Sequence, residues 1–346
     1  MNNFQAIEPL WLDAFVQVLD RCAIASTESV IVLCEQQSRP VLVQLTELAL
    51  HQLNRKFYRI VVPTPLQDSG PLVRSSGASL ALRGHAGAVD ALCAADVVVD
   101  LTVEGLMHAA ETAQILQSGT RIMNVSNEHP DILCRLLPEE SLMNTVRASA
   151  KALKQSKVMT VESEAGTQLE VNMTGARTVG VWGWTDRPGT LAHWPGGLVV
   201  SFPDANTVNG QLVLAAGDLN LTFKRYIESP VTLTLEDDYV VDLSGQGADC
   251  ALMKDYLASF NDKAAYATSH VGWGLNPAAR YEAMTMYDKG ETNGTELRAV
   301  AGNFLYSTGA NEFAGRFTRG HFDLPVMGCT IALDGDVVVS KGVPVA

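Results

Sequence analysis

"AVDALCAADVVVDL", residues 88–101, decides the fold. Val97, Val98 and Val99 follow one another with no polar alternation, so this short strand has no solvent face. A strand covered on both sides belongs to a parallel sheet flanked by helices. The helical run before it, 88–95, supplies one such cover. The pattern repeats outward in both directions. "SVIVLCE" (29–35), "FYRIVVP" (57–63) and "RIMNVS" (121–126) read as further strands. Between them lie "PVLVQLTELALHQL" (40–53), which opens on Pro40, and "MHAAETAQILQSG" (107–119), stopped by Gly119. Ile7, Trp11, Phe15, Val18 and Cys22 recur at helical spacing ahead of the first strand. The chain thus begins with an α/β domain. It carries no G-x-G-x-x-G or Walker pattern, so no nucleotide is implied.

"EESLMNTVRASAKALKQ" (139–155) reads as a connecting helix, and the periodicity changes after it. Residues 157–173 and 231–243 form hairpins, "GLVVSFP" (197–203) and "GQLVLAAGDLNL" (210–221) are strands, and 248–260 is a helix. "CTIALDGDVVV" (329–339) turns on Asp334-Gly335, the signature of a type I′ hairpin. The expectation is two domains, an α/β domain over 1–155 with a parallel sheet and a mixed, largely antiparallel α+β domain over 156–346.

Composition bounds the function. The chain has 346 residues, 47% of them hydrophobic and 18% charged, and a net charge of −13, which argues against a nucleic-acid partner. The first residues show neither a basic n-region nor an apolar h-region, and no run is long enough to span a bilayer. Six cysteines are scattered without a C-x-x-C pair, several inside apolar runs. A cytoplasmic protein with reduced thiols is expected.

The histidines carry the candidate chemistry. In "RGHFDLP" (319–325), His321 and Asp323 are two apart, and in a strand they share one face. Gly320 and Pro325 around them suggest a short edge strand or a loop mouth. Alone, the pair fits a metal site or a simple mutual hydrogen bond. In "SHVGWGLNP" (269–277), His270 opens a glycine-rich loop and is either a third ligand or a packing partner of Trp273. In "GTLAHWPGG" (189–197), His193 beside Trp194 suits a wall for a flat ligand, or a tight turn. His108, in "GLMHAAE" (105–111), follows the 96–101 strand at its carboxyl end, where ligands of open α/β sheets gather, or else caps its helix. His51, His85 and His129 read as structural. No G-x-S-x-G or H-E-x-x-H pattern is present.

Taken together, "SHVGWGLNP", "GNFLYSTGAN" (302–311), "HFDLP" and "HWPGG" resemble the 2,5-dihydroxypyridine 5,6-dioxygenase family, nearly end to end. These are mononuclear non-haem iron(II) enzymes whose fold is shared with the aminopeptidase T family. The resemblance implies Fe(II) held by His270, His321 and Asp323, a set of two imidazoles and one carboxylate that leaves positions open for substrate and O₂. It implies a small aromatic N-heterocyclic substrate whose C5–C6 bond opens to an N-formylmaleamate-type product, and a homo-oligomer. His193 and His108 fall at substrate-side positions, expected as acid/base and positioning partner. Arg298 and Ser307, in "LRAVAGNFLYSTG" (297–309), match polar positions near the same site. One departure concerns the substrate. Where the family has a glutamate twelve residues before the histidine of "HWP", this chain has Val181.

Two other readings follow from the shared fold. A metallo-aminopeptidase needs a second metal about 3.5–4 Å from the first. Its glutamate ligand positions are occupied here by His270 and Leu198, and its histidine by Leu305. A non-catalytic binding protein on the same scaffold is the third reading, kept open by Val181.

Overall fold

In a computed structural model that describes residues 6–66 and 79–345, Val97–Asp100 is the middle strand of a five-stranded parallel sheet. The strand order is Phe57–Val62, Val30–Glu35, Val97–Asp100, Arg121–Val125 and Leu191–Trp194. Val97 and Val99 face a core with Trp11, Phe15, Leu45 and Met123, whereas Val98 faces Leu82, Leu92, Ile115 and Ile122. Each face carries its own core, the arrangement that the unbroken valine run requires. Pro9–Arg21 and Pro40–Gln52 pack on the first face, and both helices begin on proline, whose missing N–H would have no partner there. Ile7 precedes the first helix instead of lying in it. The 107–119 run is shorter than its periodicity suggests, a 3₁₀ turn Leu106–His108 followed by Thr112–Gln117.

The fifth strand comes from far along the chain. Leu191–Trp194 pairs in parallel with Arg121–Val125, matching His193 to Asn124. One strand therefore crosses the expected 155/156 division, although Glu140–Gln155 is the connecting helix and antiparallel pairing starts at Val158–Glu162.

Among the described residues the rest forms three further sheets, the smallest being the antiparallel pair Leu219–Asn220 and Arg225–Tyr226. An eight-stranded sheet contains the expected hairpins, including Thr330–Leu333 with Asp336–Ser340, whose Asp334 and Gly335 both have positive φ. The remaining sheet is antiparallel, ordered Arg316–Val326, Phe304–Asn311, Thr268–Gly274, Leu198–Phe202 and Arg177–Val181. Its inner face gives Val199, Val271, Trp273, Phe304, Tyr306, Phe322 and Leu324 to a core shared with Met159, Val161, Leu169, Leu212 and Leu233 of the larger sheet. The alternating residues, His270, Leu305, Ser307, His321 and Asp323 among them, must project from the opposite face. That face is where the site lies. Among the described residues no helix is long and apolar enough to cross a membrane, and all six cysteines are free.

A buried ion pair ties the two halves. Arg135 donates to both oxygens of Glu296, at 2.9 Å to Oε1 and 2.7 Å to Oε2, and Glu296 is fully buried. Removing one partner of such a pair strands a charge in a dry environment. Arg135→Ala should therefore destabilise the protein by about 3–5 kcal/mol, read as a lowered urea midpoint. An unchanged midpoint would assign the docking to other contacts.

Candidate metal and substrate site

The antiparallel register builds the site. His270 stands opposite Ser307, Ser307 opposite Asp323, and Gly309 opposite His321, so three neighbouring strands present one row of polar groups. Where the two outer strands bring their histidines and Asp323, the middle strand contributes Ser307 and Gly309. At Gly309, with φ +110°, a Cβ would lie 1.9 Å from the Gly320 carbonyl oxygen, so no other residue fits.

Asp323 is the hub. Its Oδ1 lies 3.3 Å from Nε2 of His321 and 3.6 Å from Nε2 of His270, and accepts from the Ser307 hydroxyl. Arg298 donates from Nε to Oδ2 at 2.6 Å. Burial opposes ionisation of this carboxyl, but the charge of Arg298 and the two histidines outweigh it and hold it well below the usual carboxylate range.

His108 completes the cluster from the other side. It sits on the 3₁₀ turn after Val97–Asp100, at the carboxyl end of the parallel sheet, with its ring 4.4 Å from His321 and stacked 6.5 Å from His270. One nitrogen each from His108, His270 and His321 lies within 4.8 Å of the others. The sequence reading places His108 beside the substrate, apart from the iron ligands; the fold makes it the third imidazole of the group. Burial pushes the His270 imidazole down to about 3 and also lowers that of His321, so both offer neutral lone pairs. Nδ1 of His270 is buried with no hydrogen-bond partner among the described residues. Converging neutral imidazoles beside an ionised carboxylate are a donor set suited to a divalent transition metal.

His193 is buried on the parallel strand Leu191–Trp194. Its Nδ1 is 2.7 Å from the Pro195 carbonyl oxygen, which can only accept, so Nδ1 carries the proton and Nε2 keeps a lone pair. Burial is the main reason its imidazole falls to about 4, and the charges of Arg298 and Asp323 both act on it. Val181 lies with Leu198, Val200, Phe202 and Leu305 in an apolar patch on the same sheet as the cluster. Phe202 meets the His270 ring edge-on at 5.4 Å.

Two local expectations change. His270 lies inside Thr268–Gly274, not at the head of a loop, and the glycines after it continue the strand. His321 and Asp323 do occupy an edge strand, but they are only 4% and 2% exposed, because the sheet face is roofed by the other half of the chain. Sequence reasoning missed Glu312, whose Oε1 is 3.6 Å from Nδ1 of His108, and Phe202. Neither stands in a motif with a recognisable spacing.

The sequence profile of the 2,5-dihydroxypyridine 5,6-dioxygenase family matches residues 10–346. The chain belongs to that family. It is 36% identical to the 2,5-dihydroxypyridine 5,6-dioxygenase of Pseudomonas putida KT2440, over 96% of this chain and 95% of the relative. The solved structure of 2,5-dihydroxypyridine dioxygenase from Pseudomonas putida KT2440 superposes with a TM-score of 0.91, covering 97% of each chain at 36% identity. Wild-type AmpT from Thermus thermophilus, at 14% identity and a TM-score of 0.62, covers 97% of this chain and 99% of its own, and shares the fold.

The depressed imidazole of His193 sets a pH dependence. Above the unfolded value of about 6.5 both folded and unfolded forms are neutral. Between there and about 4 only the unfolded chain takes up a proton, so stability falls as pH falls through that window. A shift of this size is worth on the order of 3 kcal/mol. The metal-free protein should therefore show a lower urea midpoint at pH 4.5 than at pH 7, and His193→Gln should reduce the difference. An undiminished difference would remove His193 as its source.

Proposed function

We propose that this chain is a ring-cleaving dioxygenase that opens 2,5-dihydroxypyridine, or a close analogue, with O₂ at a mononuclear Fe(II) centre to give an N-formylmaleamate-type product. The observation that carries the reading is the convergence of His108, His270 and His321, the latter two buried against an ionised Asp323. Membership of the dioxygenase family supports it.

His270, His321 and Asp323 would hold the iron, with His108 beside them facing the substrate. Iron, when bound there, supplies the dioxygen chemistry that side chains lack. The remaining work belongs to the chain. Arg298 and Ser307 fix Asp323 by hydrogen bonds to its separate oxygens, and Arg298 offsets its charge. His193, protonated on Nδ1, presents Nε2 as a base that accepts a proton from a ring hydroxyl and returns it to the opened product. His108 positions the ring, with Glu312 behind it. Burial of the cleft residues keeps bulk water from the reacting groups. We further place the enzyme in the cytoplasm, as a homo-oligomer acting in nicotinate breakdown. The peptidase alternative is disfavoured because Leu198 and Leu305 are buried in the apolar patch, where a second metal would need ligands.

Protein purified anaerobically and loaded with Fe(II) should hold one iron per chain and consume O₂ with 2,5-dihydroxypyridine. His270→Ala, His321→Ala and Asp323→Ala should each abolish most uptake while the far-ultraviolet circular dichroism stays native. Two tightly held metal ions in the active protein would overturn the mononuclear assignment.

Val181 governs which ring is preferred. An apolar side chain on the cleft wall leaves a polar substituent of the ring unpaired, at about 1–3 kcal/mol. Val181→Glu should change the ranking of variously substituted hydroxypyridines by kcat/KM, by about tenfold or more. An unchanged ranking would show that this position does not face the ring.

A further inference from the structure

Glu128 is fully buried but is not part of the histidine cluster. It lies in the bend that follows Arg121–Val125, on the parallel-sheet side of the molecule. Its carboxylate points into the other half and accepts three backbone N–H groups there. Asn293 donates to Oε2 at 2.6 Å, and Gly294 and Thr295 donate to Oε1 at 2.9 and 2.7 Å. These residues lead into the short helix Thr295–Ala299, which carries Arg298. A helix of one turn has too few internal hydrogen bonds to hold itself in place, so its position is set from outside. At its far end, Nδ2 of Asn303 donates to the carbonyls of Leu297 and Arg298, at 2.9 and 3.1 Å. Between those two anchors, Arg298 reaches Asp323 at 2.6 Å.

We propose that Glu128 is a positioning residue for the site: by clamping residues 293–295 it sets the guanidinium of Arg298 against Asp323. The carboxylate that does this comes from the bend beyond the strand that pairs with the His193 strand. The parallel sheet thereby fixes both His193 and, through Glu128, the Arg298 guanidinium whose charge acts on it. The inference rests on the proposed function in one respect, that Arg298 works beside the substrate. Misplacing a reacting group by about 1 Å can cost 10²-fold in rate, and the clamp is what prevents such a shift in Arg298.

The test is Glu128→Gln, which keeps the volume but turns one acceptor oxygen into an NH₂ group facing a backbone N–H. In the Fe(II)-loaded protein kcat/KM for 2,5-dihydroxypyridine should fall by about 10–100-fold, and anaerobic binding of the same compound, followed by its absorbance, should weaken in parallel. The double variant with Arg298→Lys should be no worse than Arg298→Lys alone, because the two changes damage one interaction. Glu128→Asp, which keeps the charge at shorter reach, should fall between wild type and Glu128→Gln, and it serves in place of Glu128→Gln if that variant does not fold. Multiplicative losses in the double variant, or a Glu128→Gln protein that matches wild type in both readouts, would overturn the proposal. A wild-type protein that neither binds Fe(II) nor consumes O₂ would instead overturn the proposed function.

Discussion

The site depends on the register between Thr268–Gly274, Phe304–Asn311 and Arg316–Val326. Side chains alternate between faces along a strand, so a slip of one residue would exchange the whole set. Phe322, Tyr306 and Val271 would move into the cleft, and Asp323, Ser307 and His270 into the core. The apolar face prevents that slip, because Trp273, Phe304, Tyr306 and Phe322, all at most 2% exposed, fill the space against the larger sheet. The polar face is thus fixed by the packing of the face behind it. Ser307 and Gly309 on the middle strand leave the room in which side chains from the outer two converge.

Electrostatics then follow from burial. The buried His270 and His321 stay neutral, since an imidazolium there would lose hydration without enough compensation. The carboxylate in their midst stays charged because Arg298, the histidines and the Ser307 hydroxyl compensate it. A neutral set of nitrogen donors and one anion is a composition ready for a divalent cation, with no proton to displace from the ligands. Burial likewise keeps His193 neutral, and the Pro195 carbonyl fixes its tautomer, which leaves Nε2 with a lone pair.

The fold is shared with AmpT, and a shared fold does not by itself fix a site, which is built from particular side chains. The strands Leu198–Phe202 and Phe304–Asn311 place Leu198 and Leu305 in an apolar patch, so this face carries the imidazole cluster together with an apolar surface. Two distant segments, the turn carrying His108 and the bend carrying Glu128, supply from the parallel sheet what the antiparallel sheet lacks.

By itself the sequence determined the two kinds of sheet. Unbroken valine runs such as 97–99 can only be buried on both faces, and alternating strands such as Gln168–Asn172 and Val231–Glu236 bury one face, since burial pattern is local to a strand. It also marked His321 and Asp323 as sharing a face, because a spacing of two is fixed by the pleat, and the resemblance of the surrounding stretches pointed to His270. The tertiary structure alone decided that Leu191–Trp194 returns to the parallel sheet and carries His193 with it, that His108 closes on the other two imidazoles, and that Glu128 braces the helix of Arg298. Each of these joins residues tens to more than two hundred positions apart. Such contacts are set by how whole layers dock to bury their apolar faces, and no spacing within a single segment encodes that docking.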